Sequence, residues 1–370
     1  MLPCLWLIAP SSDGLDVAAL PALKDAFRND FVIGAALDQS VFSREDENTA
    51  RMVSQQFNSI SPENCLKWSS IQPSEDTFTF DPADAFVRFG TENDMLIHGH
   101  VLVWHKEVPD WVFKNKQGKP ASRRLLLKRL RKHIHTVVGR YRGRISSWDV
   151  VNEVIEDSGS LRKSNWQQII GGAFIEKAFT YAHQADPKAR LLYNDYNMEM
   201  PDKRKRVIRL IRDLRKKGIP VHAVGMQAHW SLDSPSLEDI EQSIISYAAA
   251  GVDVIISELD IDVLPSAWKH RDADLSLDAE LKRELDPYPN GLPPDMENKL
   301  SQRYAQIFAL FRKHSARISN VTFWGPTDRY SSLNDWPVKG RTNYPLLFDR
   351  EAKPKPAFYA VIGVTGKYHF

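Results

Sequence analysis

Cysteine is nearly absent from this sequence: Cys4 and Cys65 are the only two in 370 residues. Two thiols exclude a disulfide framework and a cysteine-based zinc site. A long apolar run is absent as well, since no stretch approaches the length of a membrane-spanning helix, about 20 residues. Charge of one sign is not in excess either, because 49 Lys and Arg stand against 47 Asp and Glu, a net charge of +2. We therefore expect neither nucleic acid nor a membrane as a partner.

The apolar N-terminus makes a poor secretion signal. Residues 1–10 lack the basic start of a signal peptide, and no clear small-residue cleavage site follows. We expect residues 1–20 to be the remnant of a signal or a disordered N-terminal segment. Residues 21–370 contain no linker and no low-complexity segment, so we expect them to form a single domain.

Strand-like and helix-like segments alternate along the whole chain. The segment 253–262, DVIISELDID, begins with a β-branched apolar run that is typical of a strand buried on both faces of a parallel sheet. The eight predicted strands are 31–37, 59–62, 95–104, 145–153, 190–197, 223–229, 253–262 and 320–325. A helical pattern follows each of them. The sequence therefore predicts an α/β fold, a single-domain (β/α)8 TIM barrel.

Helix starts and basic helix faces can also be predicted. Ser43, with Asp46 three residues later as its capping-box partner, predicts the start of a helix. The segments 123–144 and 203–217 each carry nine Lys or Arg. Because each of them also has a clean apolar stripe, we interpret them as outer barrel helices with a solvated basic face rather than as nucleic-acid-binding segments.

Polar side chains gather where the predicted strands end, and in (β/α)8 barrels the active site lies at the carboxyl ends of the strands. From the second strand to the eighth these residues are Glu63, Asn64, Lys67, Trp68, His98, His100, Trp104, His105, Asp149, Asn152, Glu153, Asn194, Asp195, Asn197, Gln227, His229, Glu258, Asp260, Asp262, Trp324 and Asp328. Tryptophan offers a flat apolar face that stacks on sugar rings. The set also lacks a glycine-rich phosphate loop, so it suits a hydroxyl-rich ligand.

Two carboxylates, Glu153 and Glu258, end strands that lie on roughly opposite sides of the predicted barrel mouth. Glycoside hydrolysis needs such a pair, one carboxyl protonated to donate to the leaving oxygen and one ionised. A carboxylate at a strand end can also simply cap the next loop. Two further alternatives stay open: a glycan-binding protein without catalysis, and a metal-dependent hydrolase that uses His98, His100 and His229. We favour histidines that hydrogen-bond to a sugar or a carboxylate, and we expect neither a metal nor a cofactor.

Seven motifs resemble those of glycoside hydrolase family 10. Two of them, WDVVNE at 148–153 and ISELDI at 256–261, are its signature motifs. The others are ENCLKW at 63–68, HGHVLVWH at 98–105, YNDYN at 193–197, GMQAH at 225–229 and VTFWGPTD at 321–328. The resemblance implies a (β/α)8 endo-β-1,4-xylanase that cleaves internal bonds of xylan or xylo-oligosaccharides by a retaining double displacement. A polymeric substrate implies a secreted or periplasmic location, and we expect a monomer.

The resemblance also implies a role for each matching residue. Glu153 becomes the general acid/base, and Glu258 the nucleophile. His229 and Asp260 would hold Glu258 in place and keep it ionised. Asn152 would bind the 2-hydroxyl of the sugar at the cleavage site. The residues implied to line that subsite are Lys67, His100, Trp104 and Gln227, and those implied to hold the next sugar on the non-reducing side are Glu63, Asn64 and Trp324.

Two positions depart from the family pattern. Glu107 stands where the family usually has Gln, and Ser332 stands where it usually has Trp. An ionised Glu only accepts hydrogen bonds, whereas Gln also donates. Loss of the Trp should weaken stacking over the cleavage-site sugar, unless Trp268 or Trp336 fills the gap. We therefore expect a decorated xylan or a shorter oligosaccharide as substrate.

Overall fold

The computed structural model describes residues 21–266, 284–335 and 339–368. The predictions for the N-terminal segment 1–20 and for Trp268 and Trp336 fall outside these residues. All eight predicted strands lie inside them, and so do all the residues for which a role in the site is expected.

Eight parallel strands close into a barrel, and a short ninth strand pairs with one of them. The described strands are β1 (Val32–Leu37), β2 (Ser59–Pro62), β3 (Leu96–Gly99), β4 (Ser147–Asn152), β5 (Arg190–Asp195), β6 (Ala223–Met226), β7 (His229–Ser231), β8 (Asp253–Asp262) and β9 (Ile318–Phe323). Strands β1 to β6 pair in chain order, β6 pairs with β8, β8 with β9, and β9 with β1. The closed parallel barrel with helices between its strands confirms the predicted (β/α)8 fold.

Two of the predicted strands differ in kind from what is observed, whereas others differ only by one or two residues at their ends. The segment 95–104 was expected to be extended throughout, but β3 ends at Gly99. The segment 223–229 is not one strand, because Ala228 has a positive φ of 64°. This left-handed residue interrupts the extended chain. The second part, β7, then pairs with the upper half of β8, beyond the stretch that β6 covers.

Helices cover the outside of the barrel. In the described part of the chain the α-helices are Leu23–Ala26, Gln39–Phe42, Glu47–Gln56, Trp68–Ile71, Asp81–Glu92, Arg123–Arg140, Asn165–Ile170, Ala173–Ala185, Pro201–Lys216, Leu237–Ala249, Pro294–Lys313 and Pro356–Gly363. The prediction that Ser43 starts a helix is wrong. Ser43 follows the short helix Gln39–Phe42, and the next helix is capped by Asp46, whose side chain accepts from the Thr49 N–H. Asp46 therefore serves as the N-cap itself.

The two basic helices pack as expected for a barrel exterior. Helix Arg123–Arg140 buries a stripe that includes Leu126, Leu130 and Ile134 against the core. Helix Pro201–Lys216 likewise buries Val207, Ile211 and Leu214. None of the helices in the described ranges has both the length and the apolar character needed to cross a bilayer.

Candidate active site

Glu153 directly follows β4, where the chain turns away from the barrel. Its backbone is left-handed, with a φ of 56°, and its N–H donates to the Asn194 carbonyl at 3.0 Å. The side chain is buried, and its Oε1 accepts from Nε2 of Gln227 at 3.2 Å. Nδ1 of His105 lies 3.9 Å from Oε2. The partners of this carboxyl are thus mainly neutral amides.

Glu258 lies within β8 in a different environment. Its Oε1 accepts from Nδ2 of Asn194 at 2.7 Å, and its Oε2 lies 3.2 Å from Nε2 of His229. Burial alone would raise the pKa of this carboxyl. The hydrogen bond from His229 and the electrostatic effects of His100 and His229 outweigh burial, so the pKa of Glu258 lies below its usual range. This carboxylate is held ionised.

His229 connects Glu258 to a second buried carboxylate. Its Nδ1 lies 3.0 Å from Oδ1 of Asp260, on the far side of the ring from Glu258. Burial disfavours the charged imidazole, but Asp260 and Glu258 outweigh burial and raise the pKa of His229 well above its usual value. The three side chains form an acid–imidazolium–acid row.

Asn194 links the two halves of the site. It ends β5 next to Asp195, is fully buried, and donates from Nδ2 to Oδ1 of Asn152 at 3.0 Å as well as to Glu258. Its own Oδ1 accepts from Oγ of Ser257 at 2.6 Å. The opposite orientation of the Asn152 amide would let its nitrogen donate to the Asn194 carbonyl at 3.0 Å, so Asn152 contacts Asn194 in either orientation.

The sequence pattern places Asn194 at a strand end and indicates no role for it. The signal that could have found it is Gly225, two residues before Gln227. A Cβ on Gly225 would lie 2.1 Å from Oδ1 of Asn194. Only glycine leaves room for this amide, and such a close approach at the end of a barrel strand marks a polar side chain held in a fixed place.

Two of the three histidines of the alternative metal site, His98 and His100, contact the same carboxylate. Nδ1 of His100 lies 2.9 Å from Oδ2 of Asp149, and Nε2 of His98 lies 3.0 Å from the same oxygen. Burial raises the pKa of Asp149, but the two histidines outweigh it and lower the pKa to about 2. His100, Asp149 and Glu258 bring possible ligand atoms within 4.8 Å of one another. His98 and His100 are thus arranged around one buried carboxylate oxygen.

Several of the remaining predicted residues follow β2, β3 and β9. Nζ of Lys67 lies 5.6 Å from the Trp104 ring centroid and donates to Oδ1 of Asn64 at 2.8 Å. Burial raises the pKa of Glu63, although the charge of Lys67 opposes it. Trp324 meets the ring of His100 edge to face at 5.4 Å. These residues lie beyond the carboxyl ends of β2, β3 and β9.

The two departing positions lie at the rim. Glu107 is exposed, has a left-handed φ of 51°, and accepts from Oγ of Ser69 at 2.9 Å. Ser332 is exposed in the segment after β9. Trp268 and Trp336, which were considered as replacements for the usual Trp, are not among the residues described.

A parallel (β/α)8 barrel with two buried carboxylates at its mouth, in unequal hydrogen-bonding environments, is the arrangement of a glycoside hydrolase. The model of glycosyl hydrolase family 10 matches residues 22–364. Endo-1,4-beta-xylanase A of Xylanibacter ruminicola is 44% identical, over 92% of this chain and 93% of its own length. An endo-1,4-beta-xylanase of Geobacillus stearothermophilus is 43% identical, over 94% and 99%.

A solved structure gives the same result. A GH10 endoxylanase retrieved from a sugarcane soil metagenome superposes with a TM-score of 0.88 at 47% identity, over 93% of this chain and 99% of that one. The chain belongs to glycoside hydrolase family 10.

Proposed function

We propose that this chain is an endo-acting β-1,4-xylanase in which Glu258 is the nucleophile and Glu153 the general acid/base. The observation that carries this assignment is the difference between the two carboxyls. Glu258 accepts from Asn194 and from a cationic His229, which favours its ionised form. Glu153 has amide partners, and His105 lies 3.9 Å away. A group that must exchange a proton twice per turnover suits the second environment.

The reaction then runs in two displacements. A carboxylate oxygen of Glu258 attacks the anomeric carbon, the bond to the glycosidic oxygen breaks, and Glu153 gives its proton to that oxygen. The shortened chain leaves, and a covalent glycosyl-enzyme remains. Water then attacks the same carbon, Glu153 takes up its proton, and Glu258 is released. The product keeps the anomeric configuration of the substrate.

The residues around the two carboxyls would hold the sugar at the cleavage site. We assign Asn152 to its 2-hydroxyl, since the Asn152 side chain lies between Asn194 and Gln227. We assign the remaining binding residues as the resemblance to the family implies, with Lys67, His100, Trp104 and Gln227 at the cleavage-site sugar and Glu63, Asn64 and Trp324 at the next sugar. His229 and Asp260 support the nucleophile. The named activities of the two xylanase relatives favour xylan as the substrate.

The test is release of reducing sugar from β-1,4-xylan in the presence of EDTA. We expect activity in the wild type and its loss in Glu258→Gln, with unchanged melting behaviour. Activity that EDTA abolishes would favour a metal-dependent hydrolase instead. Binding of xylo-oligosaccharides without any turnover would favour a non-catalytic binding protein. Endo action is tested by the fall in viscosity, which should precede most of the sugar release.

A trapping experiment separates the two glutamates. Small anions such as azide should restore turnover of an activated aryl xylobioside in Glu153→Ala and give a β-linked azide product, because the anion then replaces water at the glycosyl-enzyme. The same anion in Glu258→Ala should give the α-linked product, since no covalent intermediate forms. The opposite result would exchange the two roles.

We also propose that residues 21–370 act as one catalytic domain, that the protein works as a monomer, and that it is secreted or periplasmic. A polymeric substrate supports the location, since a chain of sugars does not cross the cytoplasmic membrane unaided. Cell fractionation and sedimentation of the full chain test these points separately from activity.

A further inference from the structure

The segment 154–164, which follows Glu153, returns to it through one arginine. Nε of Arg162 donates to the Glu153 carbonyl oxygen at 2.7 Å. The backbone N–H of Arg162 donates to the carbonyl of Val154 at 2.8 Å, which closes the loop at its base. Glu153 is therefore held from both sides: its N–H by the Asn194 carbonyl and its carbonyl by Arg162.

These two hydrogen bonds hold Glu153 in an unfavourable backbone conformation. Glu153 has a φ of 56°, in the left-handed region that a residue with a Cβ rarely adopts. Such a conformation persists where the surrounding structure fixes it. The direction of the Glu153 side chain depends on this conformation, because rotation of φ swings the Cα–Cβ bond. A side chain that must protonate one particular oxygen needs that direction fixed.

The rest of the guanidinium contacts two further side chains, Tyr196 and Glu156. Nη2 donates to the hydroxyl of Tyr196 at 2.6 Å, and Nη1 lies 3.2 Å from Oε1 of Glu156. Nζ of Lys203 lies 3.7 Å from the centroid of the Tyr196 ring. Lys203 is fully buried and pairs with Asp195 at 2.8 Å. Arg162 thus joins the end of β4 to the end of β5.

We propose that Arg162 is a positioning residue for Glu153. By binding the backbone carbonyl of Glu153, Arg162 fixes the direction in which the general acid side chain points. This inference rests on the proposed function. The assigned roles of the described residues otherwise concern groups in or around the cleft, whereas Arg162 acts on the carbonyl of Glu153. If Arg162 only stabilised the loop, its substitution would lower activity on all substrates alike, because loss of stability does not depend on the leaving group of the substrate.

The experiment compares two substrates with Arg162→Gln. An aryl β-xylobioside with 2,4-dinitrophenol as leaving group needs no proton, whereas xylotetraose needs one from Glu153. We expect kcat/KM for xylotetraose to fall about 30-fold or more, a share of the 100-fold or greater effect typical of general acid catalysis. For the dinitrophenyl substrate kcat/KM should change less than about threefold, because its glycosylation step bypasses the acid.

A matched control is Arg204→Gln. Arg204 also donates to a loop carbonyl, that of Glu199 at 3.1 Å, and to Oγ of Ser243 at 2.8 Å. Its described hydrogen bonds do not involve Glu153. The control should change kcat/KM for the two substrates by the same factor. Arg162→Lys keeps the charge but offers no fork of donors, so it should show the same substrate dependence at a smaller size.

Tyr196→Phe provides a second, milder variant if Arg162→Gln folds poorly. It removes only the hydroxyl that accepts from Nη2, and we expect the same selective loss on xylotetraose, smaller in size. Equal losses on both substrates in Arg162→Gln and Tyr196→Phe, or no loss on either, would overturn the proposal. A wild type that turns over neither substrate would instead overturn the proposed function, so the two failures are distinguishable.

Discussion

Asn194 offers the sharpest test of how the site is held together, through the variant Asn194→Ala. The substitution removes the 2.7 Å hydrogen bond to Glu258 and the acceptor of the 2.6 Å bond from Ser257. A hydrogen bond to a charged group is worth about 1.5–3 kcal/mol, and each factor of ten in rate corresponds to about 1.4 kcal/mol. A misplacement of a reacting group by about 1 Å costs about 100-fold. We therefore expect kcat/KM to fall by roughly 10- to 150-fold.

The same substitution must also destabilise the fold, and this effect needs a control. Three buried oxygens, those of Glu258, Asn152 and Ser257, lose a partner, and each that is left unpaired costs about 1–3 kcal/mol. Asn343→Ala is the matched change, because Asn343 is equally buried and donates to Asp262 of the same strand at 2.7 Å. Denaturant unfolding should show similar losses for both variants, whereas kcat/KM on xylotetraose should fall only for Asn194→Ala. Similar kcat/KM values for both variants would refute the reasoning.

Four further predictions follow from the same geometry. His229→Asn should move the acidic limb of the pH profile of kcat/KM to higher pH. His229 lowers the pKa of Glu258 against the effect of burial, and the reaction requires Glu258 to be ionised. An unmoved limb would mean that His229 does not set this pKa. Glu107→Gln should lower KM for linear xylo-oligosaccharides about two- to fivefold, the value of one exposed hydrogen bond, while Glu351→Gln on the exposed surface leaves KM unchanged. Ser332→Trp should raise kcat/KM on linear xylan about two- to tenfold through ring stacking, and no gain would contradict the open-wall interpretation. Gly225→Ala should destabilise the protein by about 1–3 kcal/mol through overpacking and lower activity with it, as calorimetry and initial rates would show.

The sequence alone predicts the barrel well because its strands are buried on both faces. The strand 253–262 is observed with the predicted bounds, since an apolar β-branched run between polar residues leaves little choice. The segment 95–104 misled the prediction: Val101, Leu102 and Val103 are apolar and buried, but they lie beyond the end of β3. An apolar run in a sequence indicates only that its side chains are buried. A buried loop therefore has the same apolar pattern as a buried strand.

The site was predictable as a set of residues but not as a set of contacts. The two glutamates and their histidines can be placed at strand ends by counting strands. The contacts of Asn194 with Glu258 and of Arg162 with the Glu153 carbonyl depend on how neighbouring loops fold back. Neither a strand pattern nor a helix pattern carries that information. The left-handed backbone of Glu153 is equally invisible to patterns, because glutamate rarely adopts it.

Irregular pairing in two strands shows why the carboxylates point where the chemistry needs them. On β8, three residues separate Ile256 from Asp260, whereas two separate their partners Met226 and His229. β8 therefore carries one extra residue around Glu258, and its pairing with β9 shifts over the same stretch. β4 carries one as well, because its pairing with β5 shifts between Asp149 and Val151.

An extra residue of this kind is a β-bulge, which redirects the side chains around it. Without the extra residue, the part of β8 that follows it would be shifted by one residue against the neighbouring strands. Each side chain in that part would then point to the opposite face of the sheet. His229 could then not lie between Glu258 and Asp260, as it does here at 3.2 and 3.0 Å. The bulge and the break at Ala228 act together, since the break lets β7 meet the upper half of β8 in the new register. The row of charges around Glu258 is thus a consequence of one additional residue in a strand.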